Sequence, residues 1–549
     1  MSLQPQAVYL VPEDTARVAR AAFPRGNVYL RMHDELGRLY ADRDFAALFP
    51  TRGQPALAPA QLALVTLMQF AEGLSDRQAA EAVRGRIDWK YALCLELDDP
   101  GFDFSVLCEF RARLLAHEQE ALLFDLLLTR CREAGLVRAR GRQRTDSTQV
   151  LAAIRQLNRL ESVGEALRHA LHALAAVVPD WLRGQCPPAW AERYGRRLDA
   201  YRLPEDPAAR RALALQIGAD GRQLLEAVWS PTAPAWLREL PALETLRRVW
   251  LQHFHAPDDT GAPGWRADHE LPPCAVRITS PHDPEARFAT KRETSWLGYK
   301  VHLTETCDSD LPHLITAVQT TAATAADSSV ITAIHADLSE AALLPQEHLV
   351  DAGYMDADNL VASRQDHGVD LVGPPLTDTH WQARTAGAFD IACFTIDWAA
   401  RRVTCPQGHT SGKWSETTDP LGNAVITMRF APADCLACPC RARCTRSARD
   451  ARRLTLRPQA QHLALRAARA RQATPDFATQ YAARAGIEGT ISQGVNTLDL
   501  RDARYIGLAK TQLQQLLTGA ALNLGRLAAW FAERPRAATR PSRLAFLAA

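Results

Sequence analysis

The sequence predicts a multidomain α/β protein. A mixed sheet with helices is preceded by an all-helical region and interrupted by a helical block and a β-rich segment. Three observations predict this class. The 549 residues exceed what one hydrophobic core accommodates. Apolar residues recur at helical spacing near both ends and in the middle of the chain. Between these stretches, alternating β-branched sequence and a strand–helix–strand pattern indicate a partly parallel sheet.

We expect seven segments along the chain. They are a helical N-terminal domain (1–135), the first strand of the core (136–154), a helical insertion (155–265), the main part of the sheet (266–375), a β-rich insertion with a cysteine cluster (376–456), C-terminal helices (457–532) and a basic tail (533–549).

The N-terminal region is predicted to be helical over residues 55–116. The stretch "PAQLALVTLMQFAEG" has apolar residues at helical spacing and ends at Gly73. Ser75 and Gln78 then form a capping-box pattern, which predicts the start of a second helix. Helix, short glycine turn and helix is the outline of a DNA-binding helix-turn-helix. The alternative is an ordinary pair of helices, which is common in any helical domain.

The predicted sheet begins with "RQRTDSTQVLAA", an extended stretch that contains Asp146. A predicted hairpin follows the helical insertion, in "TSWLGYKVHLTETCD" and "LPHLITAVQTT". The segment "EHLVDAGYMDADNLVASRQDHGVDLVGPP" then predicts a strand, a helix capped by Asp356 and another strand.

Asp146 and Asp351 are placed where metal-binding carboxylates occur. Each follows apolar or β-branched residues and precedes small ones, as expected for a carboxylate at the end of a strand. Carboxylates gathered at one sheet edge can hold Mg²⁺, which prefers oxygen ligands. Two such ions can activate a nucleophile and stabilise the leaving oxygen of a phosphodiester. The alternative for each aspartate alone is a turn or cap residue.

The cysteines are unevenly distributed. Of 12 cysteines, seven are scattered and suggest buried thiols of a reducing compartment. The others lie in "CPQGH" and "CLACPCRARC". Cysteine pairs at such spacing are typical of a tetrahedral, structural zinc site, and plain reduced thiols are the alternative. The expected zinc ligands are Cys405, Cys435, Cys438 and Cys444, with Cys440 and His409 as spare candidates.

The charge is asymmetric along the chain. Residues 441–549 carry 19 Lys and Arg against 6 Asp and Glu, whereas the preceding 440 carry 45 against 56. A basic C-terminal part indicates a polyanionic partner such as nucleic acid, with arginine-rich composition as the alternative. No secretion signal and no apolar run of membrane-spanning length is evident, so we expect a cytoplasmic, nucleoid-associated protein without a membrane partner.

Four segments carry a resemblance to a known family. In order, "DSTQV", "TSWLGYKVH", "VDAGYMDADN" and "YAARAGIEG…LRDARYIGLAK" resemble bacterial insertion-sequence DDE transposases. The resemblance implies a ribonuclease H-like catalytic domain with a β-rich insertion. It also implies cleavage and joining of DNA with two Mg²⁺ or Mn²⁺ ions. Carried over residue by residue, the catalytic and metal-binding triad is Asp146, Asp351 and Glu488. The preferred zinc ligands also match cysteines of related transposases.

The same resemblance suggests DNA contacts near Glu488. Tyr481 and Arg484 fit the family spacing, but the basic residue expected farther on falls on Val495. Spacings of three and four place Tyr481, Arg484 and Glu488 on one helical face, and a surface Arg–Glu pair is the alternative there. Further basic residues on this stretch are Arg501, Arg504 and Lys510, which we expect to contact phosphates in place of the missing one.

A last candidate surface lies on the hairpin strand "TSWLGYKVH". Lys300 and His302 alternate along this strand and so share one face with Trp296. In a nuclease these side chains could approach a phosphate or a base, although aromatic residues on strands more often pack in the core. The resemblance places this strand beside that of Asp146, which favours a DNA-facing role for Lys300.

The sequence therefore predicts a transposase that binds the terminal inverted repeats of its element as a dimer or larger assembly. It would cleave double-stranded DNA and join it to a target by two-metal chemistry. The alternatives are a domesticated, non-catalytic DNA-binding derivative and a metal-dependent nuclease without strand transfer.

Overall fold

The structure is a computed structural model, which describes residues 2–5, 9–199, 201, 203–256 and 263–535. Residues 257–262 of the predicted helical insertion and 536–549 of the predicted basic tail lie outside the described residues. No helix in these ranges is long and apolar enough to cross a membrane.

Seven helices and a 3₁₀ segment (Asp42–Leu48) form the N-terminal part. As predicted, α3 ends at Gly73, which adopts the left-handed conformation, and Ser75 and Gln78 cap α4 reciprocally. Most residues of α3 are buried, so this helix lies inside the protein and not on its surface. The helices are α1 (Glu13–Ala22), α2 (Val28–Leu36), α3 (Pro59–Glu72), α4 (Asp76–Gly85), α5 (Ile87–Leu93), α6 (Ser105–Ala116) and α7 (Leu122–Glu133).

Strand β1 (Arg142–Leu151) opens the central sheet, and a helical block follows it. The block has a hydrophobic core of its own, built by apolar faces of its helices. Its elements are α8 (Arg159–Val177), α9 (Pro179–Gln185), α10 (Pro188–Tyr194), α11 (Pro207–Trp229), a 3₁₀ turn (Ala235–Glu239), α12 (Pro241–His253), the short strands β2 (Phe254–His255) and β3 (Gly264–Trp265), and a 3₁₀ turn (Asp268–Glu270).

The chain then returns to the central sheet. The elements are β4 (Arg287–Lys291), β5 (Thr294–Thr306), β6 (Ile315–Ala322), a 3₁₀ turn (Asp327–Val330), α13 (Ile331–Glu340), β7 (Glu347–Leu349), α14 (Ala357–Asp366) and β8 (Asp370–Val372). The predicted hairpin is present as β5 and β6, and Asp356 caps α14 as predicted.

The sheet has the strand order β6–β5–β1–β7–β8. Strands β6, β5 and β1 are antiparallel neighbours, whereas β1, β7 and β8 are parallel. β4 pairs with the first part of β5. Gly298 has φ +151° at the point where β5 passes from β4 to β1, and a Cβ there would lie 2.1 Å from the Val150 carbonyl oxygen. Only glycine allows this close approach.

The β-rich insertion is a small unit with few buried apolar residues. It contains α15 (Trp381–Arg384), a 3₁₀ turn (Ile391–Cys393), β9 (Thr395–Asp397), β10 (Arg402–Thr404), β11 (Trp414–Thr418), β12 (Ala424–Arg429), α16 (Pro432–Leu436), α17 (Arg441–Cys444) and β13 (Arg453–Leu456). β9 pairs with β10, and β11, β12 and β13 form a three-stranded antiparallel sheet.

The C-terminal part is helical, as predicted. It comprises α18 (Gln459–Gln472), α19 (Pro475–Ala482), a 3₁₀ turn (Ala483–Ala485), α20 (Gly486–Leu498) and α21 (Leu508–Phe531). α21 packs against the sheet and against the N-terminal helices, so that one hydrophobic core runs from α2 through the sheet to α21. This shared core fixes the N-terminal helices and α20 relative to β1.

Candidate active site

The parallel pairing of β1 and β7 brings the two predicted aspartates near each other. The last pair of this register is Arg144 of β1 and Leu349 of β7. Asp351 lies two residues beyond the end of β7, whereas Asp146 lies in the middle of β1 and not at the end of a strand as predicted. Burial raises the pKa of Asp146, and the Asp351 carboxylate acts in the same direction, although Arg484 opposes both. Asp351 accepts a hydrogen bond from the backbone of Gly353 at 2.9 Å.

The third predicted acid joins this pair through an arginine. Glu488 lies in the first turn of α20, which packs against β1. The Arg484 guanidinium is 2.6 Å from an Asp146 carboxylate oxygen and 2.7 Å from a Glu488 oxygen. Glu488 is exposed, with 65% of its side chain accessible, whereas Arg484 and Asp146 are mostly buried. The Arg–Glu contact considered above is thus formed, but the same arginine also reaches the first aspartate.

The segment that carries these residues is not one α-helix. Tyr481 lies in the last turn of α19, Arg484 lies in the 3₁₀ turn, and Glu488 follows in α20. Arg144 of β1 supports this turn, because its guanidinium donates a hydrogen bond to the Ala483 carbonyl. A Cβ on Gly486 would lie 2.1 Å from an Arg144 guanidinium nitrogen. The close packing of Arg144 against Gly486 therefore fixes the position at which α20 begins.

Gly486→Ala is expected to displace α20 and to destabilise the protein by about 1–3 kcal/mol, as overpacking does. Arg144 cannot yield easily, because its side chain is 7% exposed and is paired with Glu305 at 2.6 Å. Gly489→Ala is the matched control, since a Cβ there meets nothing within 4 Å. The control should stabilise the helix by about 0.5–1 kcal/mol. Urea unfolding of both variants measures this difference, and equal stability would contradict the packing described.

A fourth carboxylate, Asp327, lies beside the site, and the sequence did not single it out. A Cβ on Gly353 would be 3.1 Å from an Asp351 oxygen and 3.2 Å from an Asp327 oxygen, so both carboxylates border the same glycine. Ser147, the residue after Asp146, donates to Asp327 at 3.4 Å. Asp327 could not be singled out from the sequence, because its segment is predicted to begin a helix, and acidic residues are common in the first turn of a helix.

Lys300 is engaged with this fourth acid. Its ammonium donates to Asp327 at 2.7 Å and to the Ala325 carbonyl at 2.6 Å, and the residue is 9% exposed. Lys300 lowers the pKa of Asp327 against the effect of burial. It therefore supports the site from within the protein, and a direct contact with DNA would require this pair to open.

The other predicted residues of that strand are buried. Trp296 donates from its indole to the Tyr299 carbonyl, and His302 contacts the Tyr354 hydroxyl at 2.7 Å. Burial lowers the pKa of His302 to about 4. These side chains are part of the core, which is the ordinary alternative for aromatic residues on a strand.

The remaining predicted DNA contacts are spread over a wider surface. Tyr481 stacks on Phe477. Arg501 donates to Thr148 of β1 at 2.8 Å, which places it near the end of the strand that carries Asp146. Arg504 lies instead against Phe70 of α3, with its guanidinium 5.1 Å from the ring.

Lys510 and Val495, the last two positions considered on this stretch, differ in exposure. Lys510 is exposed on the first turn of α21. Val495, where the family pattern has a basic residue, is partly buried and packs against the main hydrophobic core. Its replacement of a basic residue is therefore consistent with its position.

Carboxylate oxygens are suitable ligands for a hard divalent cation, but these acids are not arranged as a complete metal site. Among the described residues, no three His, Cys, Asp or Glu side chains are grouped so that they could hold a metal. At the acidic site the reason is visible, because the guanidinium of Arg484 fills the space between Asp146 and Glu488. Arg484 thus neutralises part of the negative charge of these two carboxylates.

The predicted zinc ligands converge on one cavity of the β-rich insertion. Cys405, Cys435, Cys438 and Cys444 all line it, together with the spare candidate His409. Cys440 is not among its lining residues. Burial raises the pKa of the Cys444 thiol, and the other three cysteines add to this effect. The donor set is that of a structural zinc site, although the thiols surround the cavity without closing on one point.

Two family models match the chain. Residues 17–113 match one described as Transposase domain (DUF772). Residues 404–528 match one described as Transposase DDE domain. The first match covers most of the N-terminal helices, and the second contains the cysteine cluster and Glu488. No curated protein matches the chain.

Proposed function

We propose that this chain, which belongs to the insertion-sequence DDE transposases, cleaves double-stranded DNA at the terminal inverted repeats of its element and joins the free ends to a target. The observation that carries the proposal is the contact of Arg484 with both Asp146 and Glu488, beside Asp351, whose carboxylate is near enough to raise the pKa of Asp146. Three acids from distant parts of the sequence thus lie near one another, and phosphoryl transfer by two metal ions requires such a group of acids.

The sheet supports a ribonuclease H-like catalytic domain. Three antiparallel strands are followed by two parallel ones, with β1 in the centre, and β7 runs beside the first residues of β1. The helical block leaves the sheet after β1 and returns to it at β4, whereas the β-rich insertion follows β8, the last strand of the sheet, and leads to the C-terminal helices. The strand order is thus unaffected by either insertion.

The three acids would hold Mg²⁺ or Mn²⁺, and Arg484 would give up its place between them. When bound, two such ions supply activation of the attacking oxygen and neutralisation of charge on the phosphate. Arg484 then becomes free to donate to a DNA phosphate, for which its planar guanidinium is well suited. Lys300 keeps Asp327 neutralised beside Asp351, so that this fourth acid does not repel the substrate.

Residues of the C-terminal part support DNA as the partner. Tyr481, Arg501 and Lys510 lie on the C-terminal segments that flank Glu488. The helices α3 and α4 retain the outline of a helix-turn-helix, with α4 the more exposed of the two. We propose that α4 contributes to recognition of the element ends, and that two or more copies assemble around a pair of ends.

The function is tested by incubating the full chain with a supercoiled plasmid that carries both ends of the element, in Mg²⁺. Cleavage at the ends together with joined products is expected. Cleavage without joining would identify a nuclease instead. DNA binding without cleavage in either Mg²⁺ or Mn²⁺ would identify a non-catalytic derivative.

Zinc in the β-rich insertion is a separate expectation. The purified chain should contain about one zinc ion, because four thiolates satisfy its tetrahedral shell. Cys438→Ser is expected to lose most of the metal, since one ligand is removed. Cys440→Ser is the matched control and should keep it. Metal content by mass spectrometry decides the matter, and equal zinc in both variants, or none in the native chain, would contradict this assignment.

A further inference from the structure

A cavity bordered by arginines lies away from the acids, between the helical block and the central sheet. It has a volume of about 320 Å³ and is bordered by the first turn of α8, the end of α12 and the hairpin of β4 and β5. By the same measure, a space of about 10–15 Å³ holds one water molecule. The cavity is therefore large enough for a polyatomic ligand.

Three residues that line the cavity carry buried polar atoms with no partner within the described residues. His253 is 3% exposed, and its Nδ1 accepts a hydrogen bond from Arg159 at 3.1 Å. The ring proton must then be on Nε2, which is buried and unpaired. The hydroxyls of Ser162 and Thr279 are also buried and unpaired, and both residues line the same cavity. Unpaired buried polar groups are costly unless a ligand or water satisfies them.

Positive charge surrounds these donors. Arg159, Arg266 and Arg277 all act on His253 and, after burial, lower its pKa to about 3, so the ring is neutral. Arg159 is held in place by Asp268 at 3.0 Å and by stacking on Trp265. Arg277, by contrast, forms no salt bridge within the described residues, and its guanidinium donates to the Cys274 sulfur at 3.2 Å.

We infer that this cavity binds a phosphate group. A neutral imidazole N–H, two hydroxyls and a guanidinium, supplied by separate segments, suit an oxyanion with several acceptor oxygens. Phe288 and Leu297 provide an apolar wall on which an attached sugar could lie. The inference does not depend on the phosphoryl-transfer activity proposed above.

The position of the cavity makes DNA a reasonable source of the phosphate. Leu297, which lines it, accepts a hydrogen bond from the backbone of Ala152, just beyond the end of β1. Ala152 is six residues from Asp146 along an extended chain, or on the order of 20 Å. This distance corresponds to about six phosphates along one strand. A free phosphate compound is the other source of the same chemistry.

Two arms of one experiment distinguish these sources. In the first, the affinity for a fluorescein-labelled duplex carrying one element end is measured by anisotropy in EDTA, over a range of salt concentrations. Arg277→Gln should weaken binding about tenfold and reduce the slope of log K against log salt by about one, because one phosphate contact is lost. Ser162→Ala should weaken binding less. Arg211→Gln, on the exposed side of α11, is the control and should change neither quantity.

In the second arm, inorganic phosphate is added to the DNA-free chain at constant ionic strength, and the melting temperature is recorded. A rise in the native chain and in Arg211→Gln that is absent in Arg277→Gln would assign the cavity to a free phosphate compound. An effect in the DNA arm assigns it to the DNA backbone. If Arg277→Gln and Ser162→Ala, with native melting temperatures, behave as the control in both arms, the cavity holds only water and the inference is overturned.

Discussion

Glu305→Ala is expected to destabilise the protein by about 3–5 kcal/mol, the loss typical of breaking a buried ion pair. Glu305 is fully buried on β5 and binds Arg144 of β1 at 2.6 Å and Arg526 of α21 at 2.5 Å. It also accepts a hydrogen bond from Thr490 of α20 at 2.6 Å. Removing the carboxylate leaves two arginines without their common partner. Because Arg144 also supports the turn before α20, the position of Glu488 should change as well.

The matched control is Glu244→Ala, which removes an exposed carboxylate paired with Arg247 three residues away. Such surface pairs contribute at most about 1 kcal/mol. The free energy of unfolding, from urea titrations of both variants and the native chain, measures the difference. A Glu305→Ala variant as stable as the control would show that this buried cluster does not hold α20 to the sheet.

Much of the fold follows from local sequence. The capping residues Ser75 and Asp356 predict helix starts, and the alternating sequence around Lys300 predicts the hairpin, because these signals lie within a few residues of the structure they specify. The 3₁₀ turn between Tyr481 and Glu488 could not be predicted. It depends on Arg144, more than three hundred residues earlier in the chain, which fits beneath Gly486.

The candidate site shows the same division. Asp146, Asp351 and Glu488 could be named from local motifs that resemble a family, and the parallel pairing of β1 and β7 brings the aspartates near each other. The partners of these acids could not be named. Asp327 carries no distinctive pattern, and Lys300 appeared to face DNA because alternation along a strand gives the face but not what covers it. Arg484 was identified, but its bridge to Asp146 required tertiary structure.

Asp146→Asn is expected to reduce DNA cleavage at least about a hundredfold, the effect of removing one group that stabilises charge in a transition state. The amide has the shape of the carboxylate but is a poor ligand for a divalent cation. Since burial raises the pKa of Asp146, its ionised form is lost on acidification at a higher pH than for an exposed aspartate. The cleavage rate of the native chain should therefore fall on acidification, beginning at a pH above the range in which an exposed aspartate is protonated. Initial rates of plasmid nicking in Mg²⁺ measure both effects.

Asp366→Asn, an exposed position in α14, is the matched control for charge and should retain the native rate. A native rate in Asp146→Asn would mean that the carboxylate beside Arg484 has only a structural role. The melting temperature of each variant, recorded alongside, separates loss of chemistry from loss of fold.

The central claim is that the acids bridged by Arg484 form the phosphoryl-transfer site, and Glu488→Gln tests it most directly. Glu488 is exposed, so its replacement leaves the core intact. The measurement is the rate of Mg²⁺-dependent nicking at an element end, with DNA affinity in EDTA recorded on the same preparation. We predict native affinity and a rate at least about a hundredfold lower. Nicking at the native rate by Glu488→Gln would contradict the account.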